Sequence, residues 1–114
     1  MNSLRNRVQL IGNLGADPEV KTLEGNKKVA RLSIATNDEY TDKNGQKVKQ
    51  TQWHNLVVWG KLADTCEKYL TKGKEIAIEG KLTYRTWVDK DGKTHNITEV
   101  IVNELLMMGS KAKD

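Results

Sequence analysis

From Trp53 to Leu70 the chain reads WHNLVVWGKLADTCEKYL, and within that stretch the period of the apolar residues changes. Up to Trp59 the period is two. Trp53, Asn55, Val57 and Trp59 share one face, and His54, Leu56 and Val58 share the other. After Gly60, Leu62, Cys66, Tyr69 and Leu70 fall on one helical stripe with charges opposite. The pattern predicts a strand over 52–59 and a helix over 61–71. Lys72-Gly73-Lys74 should end the helix, with glycine near its C-cap and lysines complementing its dipole. The His54, Leu56 and Val58 face is mostly apolar and is expected in the core, which turns two indoles outward. The opposite assignment buries Asn55 and exposes Leu56 and Val58.

The remaining segments mostly carry the period of two. Residues 4–14 alternate Val8, Leu10, Gly12 and Leu14 against Arg7, Gln9, Ile11 and Asn13, with Gly12 marking a bend. A long loop follows, carrying the turn signals Asp17-Pro18 and Gly25-Asn26 and a short extended piece near Val20 to Leu23. Residues 28–38 set Ala30, Leu32 and Ile34 against Val29, Arg31, Ser33 and Ala35. Glu39 to Gln50 is a polar hairpin arm centred on Asn44-Gly45, with Tyr40 at its root and Lys43, Lys47 and Lys49 along it. In 75–88, Ile76, Ile78, Gly80, Leu82 and Tyr84 face one way, and Lys81, Thr83, Arg85 and Trp87 the other. Asp89-Lys90-Asp91-Gly92 turns the chain into a last strand over 94–105, followed by an apolar run to Met108. Five strands with one short helix between the third and fourth is the order of the all-β oligonucleotide-binding (OB) barrel. An immunoglobulin-like sandwich has more strands and no such helix.

With 114 residues there is room for a single domain, expected over 1–108 with a short charged end over 109–114. Nineteen Lys and Arg against fifteen Asp and Glu give a net charge of +4, which favours a polyanionic partner without proving one. There is no Phe, but three Trp and three Tyr, the aromatics that also work at wet surfaces. One cysteine, Cys66, excludes an internal disulfide, and its place on the helix stripe predicts a buried, inert thiol. No secretory signal opens the chain and no segment is long enough to span a membrane, so a cytoplasmic protein is expected.

Enzyme motifs are lacking. His54 and His95 have no metal-ligand spacing, and neither a phosphate loop nor a Gly-x-Ser-x-Gly elbow occurs. Asp89 and Asp91 read as turn-setting carboxylates. No cofactor, metal or catalytic residue is expected. A binding surface is the better reading, made of Tyr40, Trp53, Trp59 and Trp87, because bases stack on any exposed π-face. Trp53 and Trp59 lie roughly 20 Å apart at strand rise, so they would hold different bases. Trp87 would extend the platform, with Arg85 beside it for a phosphate. Tyr84 and Tyr69 are assigned to core or helix packing, and His54 to a packed, hydrogen-bonded position.

The segments NRVQLIGNLGADPEVK, VARLSIATND, QTQWHNLVVWGKLAD and YLTKGKEIAIEGKLTYRTWVDKDGK, with TEVIVNEL after them, resemble the bacterial single-stranded DNA-binding proteins. They match in order and cover Asn6 to about Met108. The resemblance implies an OB barrel that binds single-stranded DNA in replication, recombination and repair. It places stacking aromatics at Tyr40, where tryptophan is familiar, at Trp59, where phenylalanine is, and at Trp53 and Trp87. DNA-contacting basic positions are matched at Arg7, Lys21, Lys43, Lys61, Lys72 and Arg85, to which the arm's Lys49 is added. His54 matches a histidine associated with subunit assembly, and the resemblance implies a homotetramer in a nucleoid-associated setting. These residues end at Lys111-Ala112-Lys113-Asp114, without the flexible tail and acidic tip that recruit replication and repair proteins. Such partners are expected only with a tail beyond them. The rivals are a cold-shock-like RNA-binding barrel, which has strand-borne Phe clusters, and a protein-interaction barrel.

Overall fold

Apolar alternation and mid-strand glycines together close a ring of strands. A computed structural model describes residues 3–108, so the 109–114 end lies outside the described residues. The strands are β1 (Val8–Leu14), β2 (Glu19–Leu23), β3 (Lys27–Thr41), β4 (Lys47–Trp59), β5 (Glu75–Val88) and β6 (Thr94–Met107), with helix α1 (Lys61–Tyr69) between β4 and β5. Five of them form a closed barrel in the order β1-β5-β6-β4-β3, with β3 returning to β1 through Asn13↔Ala35 and Leu14↔Ile34. The β4–β6 pairing is parallel, and the others in the ring are antiparallel. The short extended piece expected in the first loop is β2, which adds to the edge of β3 outside the ring. This is the expected OB architecture, with the helix between the third and fourth of the five barrel strands.

The apolar sets of the alternation fill the barrel: Ala30, Leu32 and Ile34 from β3, Leu56 and Val58 from β4, and Ile76 and Ile78 from β5 are all buried, and Val100 and Val102 from β6 join them. Gly12 and Gly80 are the bends that closure needs. A Cβ on Gly12 would press into the Ala35 backbone, and one on Gly80 into the backbone of Ile101, where β5 carries a register shift at Glu79/Gly80.

Three expectations need correction. Helix α1 stops at Tyr69, where the Leu70 N–H caps the Cys66 carbonyl, so Gly73 is not its C-cap. Gly73 instead occupies the following turn and donates its N–H to the Leu14 carbonyl, tying that turn to β1. Tyr69 is exposed, not packed. The buried stripe is Ala63, Cys66 and Leu70, and at ~100° per residue Tyr69 lies roughly 90° from its centre. Tyr84 is also exposed, at 73%, although it keeps the inward parity of Ile76 and Ile78. Beyond Thr83, β5 and β6 leave the barrel as a two-stranded arm with no opposing wall, and both of its faces meet solvent. The β3–β4 arm beyond Asn37 behaves likewise. No helix among the described residues is long and apolar enough to cross a membrane.

Candidate nucleic-acid interface

The face of β4 that carries the indoles is the outward one. Leu56 and Val58 are 1% and 0% exposed, whereas Trp53 is 59% and Trp59 45% exposed. The register carries this face across the sheet. Asn55 lies beside Glu99 on β6 and Val57 beside Ile101, while Thr83 of β5 pairs with Glu99 on the far side. Arg85 and Trp87 follow Thr83 at the same parity, so the indoles of β4 and β5 share one surface. Lys49 has the parity of Trp53 on the β3–β4 arm, opposite Glu39, whereas Tyr40 pairs with Val48 and takes the other face of that arm. Lys43 sits in the turn at the tip.

Each indole is held differently. Trp53 lies on the backbone of Gly15, just after β1, where an added Cβ would come within 2.5 Å of its ring. The Gly15 N–H bonds the Ser33 carbonyl, so the glycine has little freedom to yield. Gly15→Ala is therefore expected to tilt the indole and weaken binding at that face by about 2- to 5-fold, with thermal stability nearly unchanged; oligonucleotide titration beside a melting curve checks it. Trp59 ends β4 between two hollows. One holds Lys28, Lys61 and Asp64, and the other holds Lys21, Arg31, Arg85 and Glu99. The ring of Trp87 is stacked on His95 across the β5–β6 arm.

The cations differ in how free they are. Lys21 and Lys61 line the hollows beside Trp59. Lys72 lies in a separate hollow with Asn13 and Lys74, and its N–H bonds Asp17, two residues from the Gly15 on which Trp53 lies. Arg7 is paired with Glu79 on the β1–β5 wall, Nε to Oε2 at 2.7 Å. Arg85 donates from Nε and Nη2 to the two oxygens of Glu99 at 2.9 and 3.1 Å, and Arg31 donates to the same carboxylate at 3.1 Å. Sequence reasoning missed Glu99 and Arg31. Glu99 is 5% exposed, and its burial on the outward face is sustained by the two guanidiniums. Lys28 was missed too; it bridges Asp64 and Glu67 of α1 at 2.5 and 2.7 Å, which fastens the helix to β3. His54 is half-buried and shares a 2.9 Å hydrogen bond with Thr36, as a packed histidine should. Burial pushes the Cys66 thiol up to about 11.

Residues 5–108 match the family model described as the single-strand binding protein family. The chain belongs to this family. A single-stranded DNA-binding protein 1 of Chlorobaculum tepidum is 41% identical over 107 residues, which cover 93% of this chain and 66% of that protein. A protein of the same name from Xylella fastidiosa is also 41% identical over 107 residues, covering 93% of this chain and 79% of its own length. Among solved structures, the Plasmodium falciparum SSB complex with ssDNA superposes with a TM-score of 0.85 at 34% identity, covering 91% of this chain and 95% of that one. A deletion mutant of the Thermus aquaticus single-stranded DNA binding protein superposes at 0.81 and 31% identity, covering 93% of this chain and 51% of the other.

In this member of the family the Arg31–Glu99–Arg85 cluster has a consequence for acid stability. Hydrogen bonds from Arg85 hold the Glu99 carboxyl below its ordinary value of 4.5, against the opposing effect of burial. A depressed folded-state value means that the contribution is complete above the unfolded-state value and is lost as pH falls through the folded one. Wild type should therefore lose stability relative to Glu99→Gln as pH falls below the ordinary carboxyl value of 4.5, and urea melts at neutral and acid pH check it.

Proposed function

We propose that this chain binds single-stranded DNA without sequence preference, stacking bases on Trp53, Trp59 and Trp87 and neutralising phosphates with lysine and arginine. The observation that carries the reading is the outward face of β4 and β5, where three half-exposed indoles share one surface with basic side chains. Such a face exposes apolar area at a loss unless a partner covers it, and flat, π-faced bases fit its indoles. Membership of the family and the superposition on the Plasmodium falciparum SSB complex with ssDNA support the same ligand. The binding chemistry is non-covalent, and the protein is not an enzyme.

In this reading Lys21 and Lys61 meet the backbone beside Trp59, and Lys43 and Lys49 meet it along the β3–β4 arm. Tyr40 adds a stacking surface where the strand passes round that arm. Arg85 offers phosphate the N–H groups that Glu99 does not take. Arg7, on the β1–β5 wall, and Lys72, in the turn tied to the end of β1, serve a strand that wraps beyond the β4–β5 face. Such wrapping needs several barrels together, and a homotetramer with His54 at a subunit contact supplies them. The exposed Ile11 and Leu106, on the β1–β5–β6 wall, support burial of that wall between subunits. Bound in this way, the protein would hold strands apart in replication, recombination and repair within the nucleoid-associated cytoplasm. Replication and repair partners would be engaged through a tail beyond these residues.

Titration with oligo-dT is expected to quench the tryptophan fluorescence, while an equal amount of duplex leaves it nearly unchanged. The logarithm of the binding constant should fall with that of salt by roughly 0.7 per phosphate neutralised. Tight binding indifferent to salt, or equal quenching by duplex, contradicts the reading. Mass measurement with and without a long oligonucleotide tests the tetramer.

A further inference from the structure

We infer that His95 is a positioning residue, which backs the Trp87 indole and holds it as a one-faced platform for an unpaired base; the inference rests on the stacking role proposed for Trp87. The two rings lie 4.4 Å apart between centroids and 18° from parallel, and they form the only ring pair among the described residues. Their residues are direct cross-strand neighbours on the β5–β6 arm. On the same face of the arm Arg85 and Lys93 are exposed and Ile97 half-buried, and Trp87 itself is 44% exposed, so no barrel wall encloses the indole. An unbacked indole there would lose side-chain freedom when a base stacks on it, and that loss would weaken binding. With one face covered by imidazole, the indole keeps its plane and offers the other face.

The imidazole is fixed in turn. Its Nε2 lies 2.8 Å from Asp89 Oδ2, and since an ionised carboxylate only accepts, Nε2–H is the donor. The other oxygen of Asp89 accepts the N–H groups of Asp91 and Lys93, both at 2.9 Å, which fixes the turn. Asp89 thus does more than set a turn, the role its position in the sequence predicted. The β3–β4 arm makes the comparison within the same molecule. There Asp42 sets a turn of the same pattern through the N–H groups of Asn44 and Gln46, yet Tyr40 has no backing ring. Turn, carboxylate, imidazole and indole form one relay of fixed groups on the β5–β6 arm alone.

The test is oligo-dT affinity for Trp87→Ala, His95→Ala, His95→Phe and the Trp87→Ala/His95→Ala double variant, with thermal melts to show that the barrel is intact. His95→Ala should weaken binding about 2- to 10-fold, the range set by one aromatic pair. His95→Phe, which keeps a stacked ring, should recover to within about twofold of wild type. In the Trp87→Ala background, removing His95 should change nothing more. Wild-type affinity in His95→Ala beside weakened binding in Trp87→Ala overturns the inference while leaving the base-stacking reading intact. Losses that add in the double variant also overturn it, because His95 would then touch the strand itself. Unchanged affinity in Trp87→Ala removes the stacking reading at this position, and the inference with it.

Discussion

Replacing Trp53 with alanine is expected to weaken oligo-dT binding by about 1–3 kcal/mol, roughly 5- to 150-fold, with little change in folding. The indole is 59% exposed and lies against Gly15. Little of the barrel's stability therefore depends on it, whereas a base stacked on its open face would lose its whole partner. Trp53→Phe should retain most of the affinity, since a smaller π-face remains. Titration of both variants, beside melting curves, separates ligand loss from unfolding. A variant that binds normally, or one that fails to fold, would contradict the assignment of this face to a nucleic-acid strand.

Gly80→Ala should have the largest effect on stability, about 3 kcal/mol or more, which for a domain of this size lowers Tm by of order 10 °C or more. The added Cβ would press into the Ile101 carbonyl oxygen, lie 2.8 Å from that carbonyl carbon and 3.0 Å from a methyl of Val100. Two of these three contacts are backbone, which cannot rotate away. Relief requires β5 and β6 to part at the register shift beside Ile78, Val100 and Val102, where the core is closed. The same parting would re-aim the β5–β6 arm and Trp87 with it. A loss below about 1 kcal/mol in urea melts would show that the strands have slack the close approach denies.

Much of this was legible before any coordinates. The alternation in Trp53 to Trp59 separated the two indoles from Leu56 and Val58, and burial divides them the same way. Asn44-Gly45 and Asp91-Gly92 marked both arms, and both glycines take left-handed backbone there. Tyr84 shows where such reading fails. Its parity was read correctly, but parity places a side chain on a face and does not say whether anything covers that face. Tyr69 failed on a finer point, since a rotation of roughly 50° in the centre of a short stripe, about half of one residue's step, moves an edge residue into solvent.

Strand, helix and turn, and the two sides of β1, β3, β4 and β5, came from the sequence alone, because they depend on residues a few positions apart. Only the closed barrel decided which charges meet. Glu99 and Arg31 are separated by 68 positions, and Lys28 and Asp64 by 36, so no local pattern announces either pair. The barrel also decided that Arg7 and Arg85 already have carboxylate partners, and that Trp53 rests on Gly15 while Trp87 rests on His95. Register and ring closure set these contacts, and both depend on all the strands at once.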